Sequence, residues 1–120
     1  MKAMQFTEYG GPEVLKMVES GKPKPGPNDV LIEIHYVGVN YADTARREGK
    51  YVVPTPLPFV PGAEVAGVVV DVGEEVTSVK VGERVVTLIE SGGYAEFAVA
   101  DSRSVIPLKE EQDLKEAVSL

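Results

Sequence analysis

Residues 38–67 read GVNYADTARREGKYVVPTPLPFVPGAEVAG, and this stretch decides the fold because it sets one short helix between β-forming segments. Asn40 is a favoured N-cap residue, and Asp43 follows at position N3, as in a capping box. A helix is therefore predicted over residues 41–48, with Gly49 as its C-cap.

Most of the remaining chain predicts short β-strands, and the predicted fold class is mainly β with short helices, in a sandwich or a partly open barrel. The prolines between residues 53 and 61 predict an extended loop, the proline loop, since proline fixes φ and lacks a backbone donor. Residues 65–72 are nearly all apolar and predict a buried strand, in which Gly67 marks a bend or a close backbone approach. Residues 29–39 alternate and predict the clearest strand. Shorter strands are predicted at 3–8, 14–18, 84–88, 94–99 and 104–108.

Length and composition exclude several classes of function. At 120 residues the chain is long enough for one domain with one core. Its net charge of −7 opposes binding to phosphate backbones, so no nucleic-acid partner is expected. No apolar run approaches the ~20 residues that cross a bilayer, and the first residues lack the apolar stretch of a signal peptide. We therefore expect a soluble, cytoplasmic protein without a membrane span, and the absence of cysteine excludes a disulfide framework.

The opening stretch resembles the catalytic-domain signature of the medium-chain dehydrogenase/reductase superfamily. The motifs at residues 62–67, 80–85 and 93–96, which are GAEVAG, KVGERV and GYAE, are typical of that superfamily. In its zinc alcohol dehydrogenases a metal-binding Cys stands where this chain has Asn40, and a metal-binding His stands where it has Ala63. The resemblance therefore points to the zinc-free branch, the quinone oxidoreductases of zeta-crystallin type. It implies a GroES-like fold, which is a distorted, partly open β-barrel with a few short helices.

Activated double bonds suit a pocket without metal. Hydride transfer to or from a simple alcohol needs a Lewis acid, and catalytic zinc needs about three protein ligands. The chain has one imidazole, His35, which is expected to be a half-exposed sheet residue beside Glu33 and not a ligand. A quinone or an enone accepts hydride directly, and hydrogen bonds can hold the resulting oxyanion. The resemblance implies NADPH or NADH as the hydride donor, with no zinc.

The resemblance places the candidate site residues in and after the predicted helix. Asn40, Asp43 and Tyr51 are the expected catalytic residues, with Asn40 at the floor of the cleft and Tyr51 at the substrate mouth. Asn40 and Thr44 are expected to contact the cofactor. Ala45 stands where many zeta-crystallin-type enzymes have an aromatic residue facing the cofactor, so the exact subfamily and the pocket size stay open.

Structural roles would also explain these residues. Helix capping alone would account for Asn40 and Asp43, at roughly 1 kcal/mol. Thr44 also suits an exposed helix surface, and Tyr51 also suits packing against the prolines. A binding or catalytic role for each is therefore an expectation beside a structural alternative.

The resemblance implies a second domain as well. The tail, residues 111–120, predicts a helix barely begun, and in the family this helix leads toward a Rossmann domain that holds the cofactor. The chain has no Gly-x-Gly-x-x-Gly between a strand and a helix. We therefore interpret residues 1–120 as a GroES-like catalytic domain cut from a longer enzyme, without its Rossmann domain. The chain alone is expected to be monomeric and inactive and to show no saturable NAD(P)H binding below millimolar, whereas the full-length protein is expected to be a homodimer.

Two other accounts fit the same residues. One is a non-catalytic binding or interaction module of the same family, like relatives found on vesicle membranes or used in the lens. The other is a free-standing β-barrel module that binds partners through the proline loop. The acceptor also stays open, as does the choice between NADPH and NADH, because the ribose-phosphate determinants lie beyond residue 120. A longer reading frame and an NADPH oxidation assay would separate these accounts.

Overall fold

The computed structural model describes residues 1–118, which form seven strands and two helices. The strands are β1 (Lys2–Gln5), β2 (Lys16–Glu19), β3 (Asp29–Gly38), β4 (Glu64–Val72), β5 (Arg84–Leu88), β6 (Phe97–Asp101) and β7 (Ile106–Pro107). The helices are α1 (Tyr41–Arg47) and α2 (Leu114–Val118), and short 3-10 turns lie at Pro12–Val14 and Ser102–Ser104. The tail helix predicted over residues 111–120 is confirmed by α2, and its last two positions lie outside the described residues.

The strands form two antiparallel sheets that leave the barrel partly open. β1 pairs with β2, and the other five strands run in the order β6-β3-β4-β5-β7. Isolated bridges from Ala3 to Ala95 and from Phe6 to Phe59 tie the smaller sheet to the rest of the molecule. The predicted class, mainly β with short helices in a partly open barrel, is confirmed.

The main core is built from small and β-branched residues, most of them on strands. Its buried members are Val30, Ile32, Val69, Val79, Val85, Ala100 and Val105. Val30 and Ile32 lie two residues apart on β3 and are both fully buried, as a period of two predicts. Two smaller clusters lie beside it. In one, Phe59 of the proline loop packs with Phe6, and in the other α2 packs against Ala66. The core therefore fixes both the loop and the helix that border the candidate site.

β3 and β4 form the longest pairing, and their backbones approach closely at Gly67. A Cβ built on Gly67 would lie 2.0 Å from the carbonyl oxygen of Glu33, so a larger residue does not fit. The close approach predicted at this glycine is confirmed. The register of the pairing shifts between Ile34 and Tyr36, and Tyr36 is exposed. Val30, Ile32 and Ile34 share the main core as predicted, but Leu31 on the opposite face is also buried, so burial does not alternate along this half of β3.

Both helices are short, and α1 begins at Tyr41 as predicted but ends one residue earlier, at Arg47, with Glu48 as its C-cap. Asn40 is its N-cap residue, and Gly49 has a φ of 73°, the left-handed conformation that a glycine adopts after a helix. α1 has seven residues and α2 has five, against about 20 for a membrane span. No helix within residues 1–118 is long and apolar enough to cross a bilayer.

The bounds predicted for the strands at 94–99 and 104–108 were wrong. β6 begins at Phe97 because residues 94–96 are also bonded to β1: the carbonyl of Tyr94 accepts from the Met4 N–H at 2.8 Å, and the Glu96 N–H donates to the carbonyl of Lys2 at 3.1 Å. β7 has two residues, and one of them is Pro107, which cannot donate to a ladder. Long-range pairing therefore overrides the local alternation at both strands.

Candidate functional site

A groove of about 430 Å³ opens where the end of β3, the start of β4 and α2 meet. We call it the Asn40 groove, and it is lined by Tyr36, Val37, Gly38, Val39, Asn40, Glu64, Lys115 and Val118. Glu64 can lie close to the backbone of β3 because residue 38 is a glycine. A Cβ built there would lie 2.6 Å from Oε1 of Glu64. An amide, a carboxylate and an ammonium group thus share one concave surface with an apolar wall, which is the usual composition of a small-molecule site.

Asn40 stands at the junction of β3 and α1, and its side chain reaches β4. Its Nδ2 donates to Oε1 of Glu64 at 3.3 Å. Its backbone N–H donates to Oδ2 of Asp43 at 3.0 Å, and the predicted capping-box arrangement is present. Asn40 is nevertheless exposed, so a ligand in the groove can reach its amide.

Asp43 lies beneath the groove and is 6% exposed. Its carboxylate accepts hydrogen bonds from the backbone N–H of Asn40 at 3.0 Å, from the backbone N–H of Gly62 at 3.2 Å and from the hydroxyl of Tyr94 at 3.2 Å. These donors satisfy both oxygens, which is the condition for burying a carboxylate. One side chain thereby joins the start of α1, the loop before β4 and the turn before β6.

The hydrogen bond from Tyr94 is a feature that sequence reasoning missed, because GYAE was interpreted as a structural motif only. Burial of the phenol, followed by the negative charge of Asp43, raises the pKa of Tyr94 to about 12. The hydroxyl therefore stays protonated at neutral pH and remains a donor. The available signal was indirect: a buried carboxylate needs donors, and the sequence does not say which hydroxyl supplies one.

Thr44 and Tyr51 lie apart from the Asn40 groove. Thr44 is half-buried on α1, and the groove lining within residues 1–118 does not include it. Tyr51 is half-buried beyond the other end of α1, with its ring centroid 4.4 Å from the guanidinium carbon of Arg46. The structure thus brings Asn40 and Asp43 together and leaves the expected roles of Thr44 and Tyr51 as predictions.

The donor groups around the Asn40 groove do not assemble into a metal site. Within residues 1–118, His, Asp and Glu side chains nowhere gather in groups of three or more that could hold an ion. The methyl side chain of Ala63 offers no ligand atom. His35 lies half-exposed on β3 with its Nε2 at 2.9 Å from Oε1 of Glu33, as expected for a sheet residue.

A second, more apolar groove of about 480 Å³ lies on the other side of the end of β3. It is lined by Lys2, Ala3, Met4, Met17, Ile34, His35, Tyr36, Val37, Val39, Gly93, Tyr94, Ala95 and Glu96. Tyr36, Val37 and Val39 belong to both grooves, so an apolar surface continues from one to the other. Tyr94 connects the second groove to Asp43.

Comparisons with known proteins show which family and which fold the chain shares. The sequence profile of the alcohol dehydrogenase GroES-like domain matches residues 26–110. The quinone oxidoreductase of Sus scrofa is 43% identical over 122 residues, which cover 100% of this chain and 37% of that protein. The quinone oxidoreductase of Escherichia coli, solved in complex with NADPH, has a TM-score of 0.93 at 33% identity and covers 98% of this chain and 36% of its own. A human synaptic vesicle membrane protein VAT-1 homolog-like protein has a TM-score of 0.97 at 26% identity and covers 100% of this chain and 39% of its own.

The chain therefore spans about 37% of the length of the curated relatives that it matches. The expected resemblance to quinone oxidoreductases of the medium-chain dehydrogenase/reductase superfamily is confirmed, and so is the expected GroES-like fold. On the match to residues 26–110 and the architecture described above, this chain belongs to the alcohol dehydrogenase GroES-like domain family.

Proposed function

We propose that this chain is the catalytic domain of an oxidoreductase that reduces quinones or enones with NADPH and without zinc. The observation that carries the proposal is the arrangement around Asn40, an exposed amide donor held by Glu64 on the groove wall and by Asp43 beneath it. Two of the similar proteins are quinone oxidoreductases, and one of them was solved with NADPH. The choice of NADPH over NADH follows those relatives.

The Asn40 groove suits the nicotinamide end of NADPH better than its phosphates. Glu64 places negative charge beside Asn40, and a carboxylate repels phosphate oxygens. An amide side chain carries donors and an acceptor, as recognition of a carboxamide requires. We assign Asn40 and Thr44 to this end of the cofactor, and we assign the pyrophosphate to a Rossmann-type domain of a longer protein. When bound, NADPH supplies the hydride.

Asn40 is also the residue that we assign to the acceptor oxygen. Addition of hydride to a quinone or an enone leaves negative charge on its carbonyl oxygen. The amide of Asn40 has two N–H donors, of which one is bonded to Glu64, and the second can hydrogen-bond to that oxygen. Water can then deliver the proton. Tyr51 is assigned to the mouth of the acceptor site.

Asp43 is assigned to the same reaction as a positioning residue, which refines its expected catalytic role. Its burial keeps it from touching a ligand in the groove. Its carboxylate fixes the backbone of Asn40 and thereby the direction from which the amide enters the groove. A preorganised donor is worth more than a mobile one, because it needs no reorganisation when charge develops.

The independence from zinc is proposed from the chemistry of the donor set. Catalytic zinc takes about three protein ligands from Cys, His and carboxylate. The groove offers the amide of Asn40 and the carboxylate of Glu64, and these two groups are bonded to each other. An acceptor that is already electrophilic makes the Lewis acid unnecessary.

We infer further properties of the longer protein on the same basis. It adds a Rossmann domain and forms a homodimer, whereas this chain alone is monomeric and without turnover. It acts in the cytoplasm and has no nucleic-acid partner, since a chain of net charge −7 repels phosphate backbones.

The test is NADPH oxidation by the full-length protein with 1,4-benzoquinone and with a cyclic enone. The substitution Asn40→Ala is expected to lower kcat by about 10²-fold, the usual cost of removing one oxyanion donor. Asn28→Ala, in an exposed loop, is the matched control and should leave kcat unchanged. Metal analysis of the active protein should find no stoichiometric zinc. Bound zinc, or an Asn40→Ala variant as active as the parent, would overturn the proposal.

A non-catalytic binding module is the second candidate. It is favoured by the TM-score of 0.97 to a protein named for a synaptic vesicle membrane protein and not for an activity. The same assay separates the two candidates. NADPH binding without oxidation by any quinone or enone would support the binding module.

A further inference from the structure

Arg46, in the last turn of α1, contacts the chain before, within and at the end of the proline loop. Its guanidinium carbon lies 4.4 Å from the ring centroid of Tyr51 and 5.1 Å from that of Phe59. Its Nη1 donates to Oγ1 of Thr55 at 3.2 Å. Three positions that belong to no common helix or strand therefore all contact the side chain of Arg46.

Two of these three partners are also fixed by the body of the protein. Phe59 exchanges a pair of backbone hydrogen bonds with Phe6, each of 3.0 Å, and their rings pack at 5.6 Å. Thr55 is 4% exposed, and its carbonyl accepts from the hydroxyl of Tyr9. Within residues 1–118, the Tyr51 side chain has no hydrogen bond, and its one ring contact is with Arg46. Arg46 therefore links the ring of Phe59, which has further bonds, to the ring of Tyr51, whose described ring contact is with Arg46.

The chemistry of arginine suits this link. A planar guanidinium can lie over aromatic rings and donate to a hydroxyl in the same plane, whereas an ammonium group is a compact point charge. Arg46 is half-buried, and a cation–π contact strengthens as its partners lose water. Within the described residues Arg46 takes part in none of the ion pairs. No carboxylate at ion-pair distance therefore competes with the two rings for its guanidinium.

We propose that Arg46 is a positioning residue that fixes Tyr51 at the mouth of the acceptor site and thereby favours flat aromatic quinones over small aliphatic enones. This inference rests on the proposed function, in which Tyr51 lines that mouth. A held ring stacks on a flat acceptor without first losing rotamer freedom, and this preorganisation favours binding. Asn40 lies at the opposite end of α1 and keeps its own contacts when Arg46 is changed.

The positioning step is tested on the 120-residue chain without any assay of activity. The substitution Arg46→Met keeps an unbranched stem and removes the charge and the planar donors. Chymotryptic cleavage after Tyr51 and exchange of the Phe59 amide, which donates to the carbonyl of Phe6, are expected to accelerate about tenfold, because removal of the cation–π contacts favours local opening. Arg46→Lys should give an intermediate rate.

The matched control is Lys50→Met, which removes the same charge next to the same loop from an exposed side chain. It should leave cleavage and exchange at the parental rates. A Tyr51→Leu background should abolish most of the effect of Arg46→Met on exchange, since the coupling between the two residues is then already absent. Equal cleavage and exchange rates in the parent and Arg46→Met would overturn the proposal.

The specificity step is tested on the full-length protein with a naphthoquinone and with cyclohexenone. Arg46→Met is expected to raise KM for the naphthoquinone by about tenfold while kcat stays within about twofold, because a held Tyr51 ring assists binding of the acceptor and takes no part in hydride transfer. KM for cyclohexenone should not change. Equal shifts in KM for both acceptors would overturn the specificity role.

Failure of this inference and failure of the proposed function are distinguishable. If the parent protein reduces no acceptor, the proposed function and the specificity step fall together. Cleavage and exchange still decide whether Arg46 fixes Tyr51. If the parent is active and the variant shows no selective change in KM, only the specificity role falls.

Discussion

Asp43 shows at the scale of one residue how the protein holds a buried charge. Its carboxylate accepts from two backbone N–H groups and one hydroxyl. Substitution by Asn keeps the size but turns one oxygen into an NH₂ group that faces these donors. We expect Asp43→Asn to lower the free energy of unfolding by about 2–4 kcal/mol, because hydrogen bonds to a charged group are removed and a buried donor is left unpaired. Urea unfolding of the chain measures this change.

The control for Asp43→Asn is Glu74→Gln, which removes the same charge from an exposed turn. Exposed substitutions of this kind usually alter stability by less than about 0.5 kcal/mol. A decrease below about 1 kcal/mol for Asp43→Asn would contradict the role given to its hydrogen bonds.

Tyr94 predicts a pH dependence whose sign follows from its raised pKa. The pKa is 10.0 in the unfolded chain and about 12 in the folded protein. Below pH 10 Tyr94 keeps its proton in both the folded and the unfolded state, and its contribution to the free energy of unfolding is fully present. Between pH 10 and 12 the unfolded state releases the proton first, so the contribution is lost as pH rises.

Tyr94→Phe isolates this contribution. At neutral pH the variant should be less stable by about 1 kcal/mol, the value of one hydrogen bond. Above pH 10 the difference between parent and variant should shrink, since only the parent has this phenol to titrate. Urea unfolding at a series of pH values measures the difference. A constant difference from pH 8 to pH 11.5 would contradict the assigned hydrogen bond to Asp43.

Sequence spacing explains which contacts of the site could be predicted. Asn40 and Asp43 are three residues apart, and the capping rule predicted their mutual contact from that spacing, whereas their assignment to a site came from the family resemblance. The donor hydroxyl of Tyr94 is 51 residues away from Asp43, and no local rule reaches that far. Arg46 lies one turn from Asp43, but its ring partners depend on the path of the proline loop, which its prolines restrict without determining.

At the scale of elements, the pairing of β3 with β4 depends on Gly67. A Cβ at this position would lie 2.0 Å from a backbone oxygen of Glu33, and backbone in a central pairing cannot move away cheaply. Gly67→Ala is expected to cost more than about 3 kcal/mol or to prevent folding, since overpacking of this kind forces backbone shifts. Thermal unfolding followed by far-UV circular dichroism measures the decrease in stability.

Gly21→Ala is the matched control for this substitution. Gly21 lies in an exposed loop, and a Cβ built there meets nothing within 4 Å. The control should leave the melting temperature unchanged or slightly higher, because alanine restricts the unfolded chain. Equal melting temperatures for the two variants would show that the sheet adapts at Gly67.

The elements themselves divide into predictable and unpredictable ones for a physical reason. α1 was predicted to within one residue at its end because caps and helix formers are neighbours in the sequence. β5, Arg84–Leu88, matched its prediction because turns flank an apolar run. β6 begins three residues later than predicted, since Tyr94 bonds to the strand that contains Met4. The strand order β6-β3-β4-β5-β7 depends on contacts between distant parts of the chain, so no local sequence pattern predicts it.

At the scale of the whole molecule, the grooves are open and carry few cations. Among residues 1–118, the lining of the Asn40 groove includes one lysine, Lys115, and one carboxylate, Glu64. A pyrophosphate is usually held by a glycine-rich turn at a helix N-terminus, and residues 1–120 contain no such motif between a strand and a helix. The chain alone should therefore bind the cofactor weakly.

Isothermal titration of the 120-residue chain with NADPH measures this weakness. We expect no saturable binding below millimolar concentrations, which corresponds to a binding free energy weaker than about −4 kcal/mol. The full-length protein, titrated in parallel, is the control and should saturate. A micromolar dissociation constant for the 120-residue chain would show that this domain holds the phosphates by itself.

The bonds converging on Asp43 have a consequence for protein engineering. A library that randomises position 62 or 94 would score most changes as damaging, because Gly62 has a φ of 108° and the Tyr94 hydroxyl donates to the Asp43 carboxylate. The Asn40 N–H that donates to the same carboxylate belongs to the backbone, so most substitutions at position 40 keep that bond. Compensated combinations at positions 43 and 94 would be found only when both positions vary together, because these two side chains are bonded to each other. The exposed side chains of Tyr41, Val52 and Leu57 carry no such linkage, so they are the positions at which directed evolution can explore freely.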